Sequence, residues 1–338
     1  MTNRGPGTSP LVWLLMGTRA GDNNQLLALA EALGWPSVQK PIAYNQLRRI
    51  PFLRGGLTIV ASESRALIRP PWPDLVIGVG YGSVPVARYI REQTDGRAKL
   101  VHVGNPRDPL NDFDLQITTP QYSRKAPNLL ELPFPIGNPA RNAHPSSEEL
   151  DWLSAFPRPR RFVAIGGPAR FWELDHAVLR QAISALQHKT PAGSLIVAVS
   201  HRTRRETGEL LAALLTGPRE ALINSFPRFG TALADCDEVY VTADSVSMIS
   251  EAVLSGKPTG LIPIRRSFRG LMSLWLYEQP LRRSAHPDFA NFWKQLKRDG
   301  LVGTVDRPVE SQVGDTVECA AEAVRRIMTG EKGAETDR

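Results

Sequence analysis

Short runs of apolar residues alternate with amphipathic stretches along most of the chain. The run 11–16 is apolar throughout, as in a strand that is buried on both faces of a parallel sheet. Similar runs predict further strands at 38–42, 74–80, 99–104, 113–119, 128–132, 161–165, 194–199, 221–224, 238–242 and 259–264. Apolar residues at helical spacing predict helices, including 174–187 and 313–328. This alternation predicts an α/β protein in which crossover helices connect parallel strands.

A chain of 338 residues is too long for one core of ordinary size, so we predict two domains. The region around 138–160 is rich in Pro, Ser, Asn and charged residues, which is typical of a linker. The predicted organisation is a flexible N-terminus at 1–10, a first domain at 11–137, a linker at 138–160, a second domain at 161–312, a C-terminal helix at 313–330 and a polar tail at 331–338.

The stretch 237–258 combines a predicted strand, a polar turn and a helix. Asp244 or Ser245 is placed to cap this helix, and Gly256 ends it. Free backbone N–H groups and a partial positive charge at a helix N-terminus suit a phosphate. Glu251 lies a turn and a half further along, where its carboxylate can accept hydrogen bonds from sugar hydroxyls. An ordinary capped helix with a solvated Glu251 is the structural alternative.

The end of this stretch resembles a known ligand-binding segment. Residues 250–258, Ser-Glu-Ala-Val-Leu-Ser-Gly-Lys-Pro, look like the nucleotide-sugar-binding segment of GT-B glycosyltransferases such as the peptidoglycan N-acetylglucosaminyltransferase. In those enzymes a Glu at the position of Glu251 holds the ribose of the nucleotide. The resemblance therefore implies that a nucleoside-diphosphate sugar binds here.

The opening of the chain resembles one particular family. Residues 17–34, Gly-Thr-Arg-Ala-Gly-Asp-Asn-Asn-Gln-Leu-Leu-Ala-Leu-Ala-Glu-Ala-Leu-Gly, look like the first loop and helix of the elongated-mitochondria fission-factor family. Its bacterial members are assigned as glycosyltransferases. They carry segments similar to Gly-Gly-Pro at 166–168, Ser-His-Arg-Thr-Arg at 200–204 and Asp-Ser-Val-Ser-Met at 244–248.

This family resemblance implies a GT-B-like fold. Two Rossmann-like domains would face a cleft, and the C-terminal helix would cross back to the first domain. The chain departs from the family at His201, where Arg is usual. Arg202 and Arg204 remain as candidate phosphate ligands of that loop.

Loops at the carboxyl ends of parallel strands are where open α/β sheets bind ligands. Such loops of the second domain offer backbone donors, hydroxyl groups and guanidinium groups, which suit a diphosphate. The predicted donor-binding residues are Gly166, Gly167, Ser200, Arg202, Arg204, Thr242, Asp244, Ser245, Ser247, Met248 and Glu251. The predicted acceptor-side residues of the first domain are Gly17, Thr18, Arg19, Gly21, Gln25, Gly80 and Asn105.

Sugar transfer needs a base for the acceptor hydroxyl and positive charge for the departing diphosphate. Asp22 is our candidate base, because it lies in the loop that GT-B enzymes point into the cleft; a plain helix N-cap is its structural alternative. Arg202 and the helix N-terminus at Ser245 would neutralise the phosphate charge. We therefore predict no metal and no cofactor apart from the nucleotide-sugar substrate. Asp235-Cys236-Asp237 is similar to an Asp-x-Asp metal motif but precedes a strand, so we interpret it as a solvated turn.

The formal net charge of +7 favours anionic partners such as nucleotides, nucleic acid or acidic lipid. The positive residues are spread along the chain without a long block, so we expect no nucleic-acid partner. The stretch 44–57 mixes arginines with apolar residues and suits either an anionic membrane surface or a helix that packs inward. Arg265, Arg266 and Arg269 precede an aromatic and apolar segment; they could bind phosphate or acidic lipid, or line the interdomain cleft.

Cys236 and Cys319 have neither metal-ligand spacing nor the pattern of a disulfide framework, which is typical of a reducing compartment. The run 11–16 is too short for a signal sequence, and no run approaches the length of a membrane span. We therefore expect a cytoplasmic protein, either free or bound to the inner face of the membrane.

These observations favour a glycosyltransferase that moves a sugar from a nucleoside-diphosphate sugar to a cell-envelope or other glycan acceptor, free or lipid-linked. Two alternatives stay open. A nucleotide-sugar epimerase of the same fold would use one donor and no acceptor, and would need extra carboxylates in the cleft. A non-catalytic adaptor is the second, because the plant namesake of the family acts in mitochondrial fission.

Overall fold

The computed structural model of the chain describes residues 9–49, 56–106, 112–122, 126–137, 144–169, 171–189, 191–268, 270–272 and 289–330. Internal contacts divide the chain into one unit of Met1–Gly137 with Asp315–Arg338 and a second unit of Asn138–Gly314. The second unit begins at Asn138, so the segment 138–160, which we predicted to be a linker, belongs to it.

Each unit contains one six-stranded sheet whose neighbouring strands are all parallel. The strands of the first unit are β1 (Val12–Met16), β2 (Ser37–Pro41), β3 (Leu75–Val79), β4 (Lys99–Val103), β5 (Leu115–Thr118) and β6 (Leu129–Glu131). Those of the second unit are β7 (Arg160–Ile165), β8 (Trp172–Glu173), β9 (Ser194–Val199), β10 (Glu220–Ile223), β11 (Glu238–Thr242), β12 (Thr259–Ile262), β13 (Arg265–Arg266) and β14 (Gly303–Thr304). The pair β8 and β13 forms a separate antiparallel sheet.

Helices connect the strands in both units. They are α1 (Ala20–Leu33), α2 (Ser62–Arg65), α3 (Ser83–Gln93), α4 (Ser147–Ser154), α5 (His176–Lys189), α6 (Arg205–Leu214), α7 (Phe229–Asp235), α8 (Val246–Leu254), α9 (Phe289–Arg298) and α10 (Thr316–Thr329). Within the described part of the chain, no helix is long and apolar enough to cross a membrane.

The strand order of each sheet reverses at one point. The first sheet runs β2-β1-β3-β4-β5-β6, and the second runs β10-β9-β7-β11-β12-β14. In a doubly wound sheet, ligands bind beyond the carboxyl ends of the strands where the order reverses. These points are β1 and β3 in the first unit and β7 and β11 in the second.

All of the predicted strands are present in these sheets, and their observed ends differ from the predicted ends by at most two residues. Sequence patterns missed β8, β13 and β14, which are 2 residues long each. A two-residue strand is too short to show a hydrophobic period, because its pairing depends on the neighbouring strand.

The C-terminal helix packs on the first unit, as the GT-B resemblance implied. Val317, Ala320 and Val324 of α10 are buried in the same cluster as Leu26 and Leu29 of α1. The helix begins later than the predicted residue 313, because the side chain of Asp315 caps it by accepting hydrogen bonds from two backbone N–H groups.

Within the second unit, an ion pair joins α4, in the segment before β7, to the residue before α7. The carboxylate of Glu149 on α4 accepts hydrogen bonds from the backbone N–H and the guanidinium of Arg228, which precedes α7. The hydrogen bonds from Arg228 and Ser146 hold the pKa of Glu149 far below its usual range. This ion pair holds α4, in the segment that we predicted to be a linker, against the start of α7.

The basic stretch at 44–57 is described only in part. Tyr44 forms an isolated antiparallel bridge with Val60, and Gln46–Arg49 is a single 3₁₀ turn. Residues 50–55 and the side chains of Arg48 and Arg49 lie outside the described residues. The choice between a membrane surface and inward packing therefore stays a prediction for this stretch.

Candidate functional site

The loops after β7 and β11 meet at the point where the second sheet reverses its strand order. The backbone N–H of Gly166 donates a 2.8 Å hydrogen bond to Thr242 Oγ1, and that of Gly167 donates a 2.9 Å bond to Asp244 Oδ2. Both glycine N–H groups are therefore engaged within the protein. Our expectation that they serve as free backbone donors for a diphosphate is wrong on this geometry, although both residues border the site.

These two positions require glycine because other groups approach them closely. A Cβ atom on Gly166 would lie 2.0 Å from Asp244 Oδ2, and one on Gly167 would lie 2.2 Å from the carbonyl oxygen of Arg202. Real Cβ atoms do not come so close to a backbone or side-chain atom. The Gly-Gly sequence therefore allows the loops after β7, β9 and β11 to pack together.

The loop after β9 is held in this cluster by Thr203, which is not among the predicted site residues. Thr203 Oγ1 lies 2.7 Å from the carbonyl oxygen of Gly166 and accepts a 2.9 Å hydrogen bond from the N–H of Ser200. The hydroxyl of Ser200 in turn accepts a bond from the N–H of Arg202. The side chain of Arg202 is thereby left exposed at the rim of the cluster.

Asp244 is buried at the centre of the cluster. Burial raises the pKa of its carboxyl, while hydrogen bonds from Thr242 and Gly167 and the nearby charge of Arg202 oppose the rise. The carboxylate supports the glycine turn, so we assign it to holding the loops rather than to contacting a ligand directly.

The N-terminus of α8 offers the free donors that the glycines lack. Ser245 caps the helix, and its side chain accepts a hydrogen bond from the N–H of Met248. The N–H groups of Val246 and Ser247 have no hydrogen-bond acceptor among the described residues, and the side chain of Ser247 is exposed. A nine-residue helix with open N–H groups attracts an anion.

Glu251 lies further along α8 and is half-buried. Its side chain makes no hydrogen bond or ion pair with any described residue, and burial raises the pKa of its carboxyl. Since a carboxylate without a partner in a partly buried position costs free energy, it is typical of a ligand-binding site.

A small pocket of about 140 Å³ adjoins the glycine turn. Its lining includes Gly166, Gly167, His176, Arg204 and Thr207. Nε2 of His176 lies 3.0 Å from Thr207 Oγ1 and so connects α5 with α6. The guanidinium of Arg204 forms no ion pair with a described residue, although the carboxylates of Glu173 and Glu206 line the same pocket.

In the first unit, the loop after β1 is organised by Asn23. Its side-chain oxygen accepts a 2.8 Å hydrogen bond from the N–H of Gly17, and its amide donates a 3.0 Å bond to the carbonyl oxygen of Gly17. Asn23 is not among the predicted site residues. An Asn just after a predicted turn was the available signal, because Asn side chains bond to nearby backbone.

Asp22 does not cap α1, so the structural alternative that we gave for it, a plain helix N-cap, is wrong. Helix α1 begins at Ala20 with Arg19 at the N-cap, so Asp22 is in the first helical turn and does not cap it. Its side chain is half-buried. Burial raises the pKa of this carboxyl, and the positive charge of Arg19 partly offsets that effect.

The loops after β3 and β4 are joined by a fully buried histidine. The ring of His102 lies between two carbonyl oxygens, with Nε2 3.2 Å from Gly80 and Nδ1 3.3 Å from Gly104. Gly80 itself is in the left-handed region, with φ of 70°. His102 is not among the predicted site residues, although a polar residue inside the apolar strand β4 is a signal that the sequence contains.

Of the other predicted acceptor-side residues, Thr18, Arg19 and Asn105 lie on these loops, whereas Gly21 and Gln25 lie in the first turns of α1. Thr18, Arg19 and Gly21 are exposed, whereas Gln25 and Asn105 are half-buried. The structure therefore brings the loops after β1, β3 and β4 to one edge of the first sheet.

The Asp-x-Asp sequence at 235–237 is not the solvated turn that we predicted. Asp235 and Asp237 both form ion pairs with Arg158, and Asp235 also pairs with Arg160. Cys236 between them is buried, and burial raises its pKa to about 12. Across the described residues, no group of three or more His, Cys, Asp or Glu side chains is placed to hold a metal ion.

Two of the arginines after β12 already make contacts within the second unit. Arg265 forms ion pairs with Glu173 and Asp175, and the guanidinium of Arg266 lies 4.7 Å from the ring centre of Trp172. Arg269 lies outside the described residues.

Two Rossmann-like sheets with a C-terminal helix packed on the first unit define the GT-B class of fold. A Listeria monocytogenes protein assigned as a UDP-N-acetylglucosamine 2-epimerase shares this fold, with a TM-score of 0.54, 15% identity and coverage of 97% of this chain and 98% of that one. The Neisseria meningitidis UDP-GlcNAc 2-epimerase bound to UDP-GlcNAc has a TM-score of 0.50, 13% identity and coverage of 95% and 100%.

The chain belongs to the family described as Mitochondrial fission ELM1, which matches residues 20–327. It is 24% identical over 290 residues to an uncharacterized Rickettsia prowazekii protein, RP120, a match that covers 73% of this chain and 81% of that protein. It is 26% identical over 233 residues to the Arabidopsis thaliana mitochondrial fission protein ELM1, which covers 60% of this chain. The match covers 54% of the plant protein, so the chain spans about half the length of that relative.

Proposed function

We propose that the second unit binds a nucleoside-diphosphate sugar and that the protein transfers the sugar to a glycan or lipid-linked acceptor without a metal ion. The observation that carries this proposal is Glu251, a half-buried carboxylate on α8 that has no partner among the described residues. A ribose would supply the missing donors, because its two hydroxyl groups can both donate to one carboxylate.

The diphosphate is assigned to the N-terminus of α8. The open N–H groups of Val246 and Ser247 and the helix dipole would bind its oxygens. Arg202 and Arg204 add positive charge from the adjoining loop and pocket. Such positive groups stabilise the charge that develops on a departing diphosphate, which is the role that a metal has in other transferases.

Asp22 is assigned as the base that accepts a proton from the acceptor hydroxyl. Burial raises the pKa of its carboxyl, and a carboxylate with a raised pKa holds a proton more strongly. The exposed residues Thr18, Arg19 and Gly21 beside it would contact the acceptor.

A test of the donor site is Glu251→Ala, measured by calorimetry with UDP-GlcNAc, UDP-glucose and UDP. We expect the free energy of binding of these nucleotides to become less favourable by about 1–3 kcal/mol, since two hydrogen bonds to a charged group are lost. Glu310→Ala is the matched control, because Glu310 is exposed and lies outside helix α8 and the loop before it. Equal affinities of wild type and Glu251→Ala, with both folded, would refute the ribose assignment.

A non-catalytic adaptor is the second candidate, and membership of the fission family favours it. An adaptor could keep a nucleotide site without turnover. Nucleotide-sugar binding without transfer to any envelope glycan or lipid would support the adaptor. Conversion of the sugar into its epimer, with no acceptor present, would support an epimerase.

A further inference from the structure

A second pocket, of about 300 Å³, lies in the second unit away from the glycine turn. Its walls come from α5, from the ends of β11 and β12, from α9 and from the segment after β14. Apolar side chains dominate them: Val178, Ala182, Ala185, Leu261, Ile264 and Val305, with the ring of Trp293. The size and the apolar lining match those of small-molecule sites.

The pocket is separate from the proposed nucleotide site. None of the residues that line it is a predicted phosphate, ribose or acceptor contact. The two sites adjoin at Ala243, which lines the pocket, lies between Thr242 and Asp244 in the chain, and accepts at its carbonyl oxygen a 2.8 Å hydrogen bond from the indole Nε1–H of Trp293. That bond also holds the indole in place as a fixed wall.

Two lysines bring positive charge to the rim of the pocket, and one of them, Lys189, also lies close enough to the Glu238 carboxylate to lower its pKa. Lys297 is exposed at the rim and forms no hydrogen bond or ion pair with a described residue. Lys189 lies nearby, where its ammonium donates to the carbonyl oxygens of Val305 and Asp306 at 3.1 Å and 2.6 Å. The exposed carboxylate of Asp306 is the one acidic group among the lining residues.

We infer that this pocket binds a small apolar molecule with one anionic end, its chain against Trp293 and its charge at Lys297. A volume of 300 Å³ corresponds to about ten water molecules, each of which takes about 30 Å³ in the liquid. A chain of about eight carbon atoms therefore fits. A medium-chain fatty acid and a short isoprenoid phosphate both have this chemistry.

The test is calorimetric titration of the full-length protein with octanoate, geranyl phosphate and 1-octanol. We expect saturable binding of one molecule per chain, with at least one anion bound about two- to fivefold more tightly than the alcohol, because the ion pair with Lys297 is exposed. Tighter binding of octanoate indicates a fatty acid, and tighter binding of geranyl phosphate indicates an isoprenoid phosphate. Absence of saturable binding for every probe, or equal affinity for the anions and the alcohol, would overturn the inference.

Two variants locate the binding. Ala185→Phe fills the pocket and should abolish binding of all probes, whereas Lys297→Met should bring the affinity for the anions down to that for 1-octanol. Lys294→Met is the matched control, because Lys294 is an exposed lysine of the same helix that does not line the pocket. Unchanged binding in Ala185→Phe, or the same loss in Lys294→Met as in Lys297→Met, would place the ligand elsewhere. UDP-GlcNAc affinity should be the same in all variants, so failure here is distinct from failure of the nucleotide site.

Discussion

The N–H of Gly167 and the carboxylate of Asp244 are 2.9 Å apart and join the loops that follow β7 and β11. This bond lies where the strand order of the second sheet reverses, and a Cβ on the neighbouring Gly166 would lie 2.0 Å from the same carboxylate. The glycine turn and Asp244 therefore form one structural unit that positions the N-terminus of α8.

The first prediction concerns this close approach. Gly166→Ala should lower the free energy of unfolding by about 1–3 kcal/mol or more, because the new methyl group overlaps Asp244. Gly208→Ala is the control, since Gly208 lies inside α6 with nothing within 4 Å of its added Cβ. It should stabilise the protein by about 0.5–1 kcal/mol. Thermal denaturation that ranks the two substitutions in the opposite order would contradict the packing described.

The second prediction concerns the pH dependence of stability. Burial raises the pKa of Glu251 above its ordinary value of 4.5. A raised folded-state pKa adds stability that is fully present below the unfolded pKa and lost as the pH rises through the folded pKa. Glu251→Gln, which stays neutral, should therefore melt at a higher temperature than wild type at pH 8, with the advantage shrinking towards pH 4.5.

Melting curves of the nucleotide-free protein at several pH values measure this difference. Glu310→Gln is the control and should show no such trend, since Glu310 is exposed. If Glu251→Gln is no more stable than wild type at pH 8, the carboxylate has a partner that the structure does not show. The same variant should bind UDP-GlcNAc more weakly, so that stability and binding change in opposite directions.

The third prediction concerns turnover. Asp22→Asn removes the proposed base and keeps nearly the same size, so α1 should form as before. Nucleotide-sugar affinity should stay unchanged while transfer slows by roughly a hundredfold or more. The measurement is the release of nucleoside diphosphate from the nucleotide sugar in the presence of cell-envelope extract. Full activity of Asp22→Asn would leave the donor site standing and assign the base elsewhere.

The fourth prediction concerns a membrane surface. Phe268, Leu271 and Met272 follow β13 and are 76%, 55% and 58% exposed. Together with the net charge of +7 they favour an anionic bilayer. Sedimentation with phosphatidylglycerol vesicles should fall with salt and fall further in the Phe268→Ser, Leu271→Ser double variant.

Leu150→Ser is the control for this experiment, because Leu150 is 46% exposed on α4, elsewhere in the second unit. Equal sedimentation with neutral and anionic vesicles would remove the membrane from the proposed function. Arg265 and Arg266 are unsuitable probes, since they already contact Glu173, Asp175 and Trp172.

The sequence by itself determined the strands of the two sheets, the C-terminal helix and the α8 stretch, whereas the return of that helix to the first unit was implied by the GT-B resemblance. Continuous apolar runs such as 11–16 and 195–199 predict buried parallel strands, because only a sheet covered on both faces needs side chains that are apolar in every position. Ser245 and Gly256 likewise predicted the limits of α8, since capping and left-handed turns depend on the residues themselves.

Only the tertiary structure decided how the polar groups pair. It showed that Gly166 and Gly167 use their N–H groups on Thr242 and Asp244, whereas Glu251 has no partner in the described chain. These partners lie more than seventy residues apart in the sequence, with separations of 76 and 77. Hydrogen bonds over such distances depend on which strands become neighbours, and a local pattern of residues carries no information about that order.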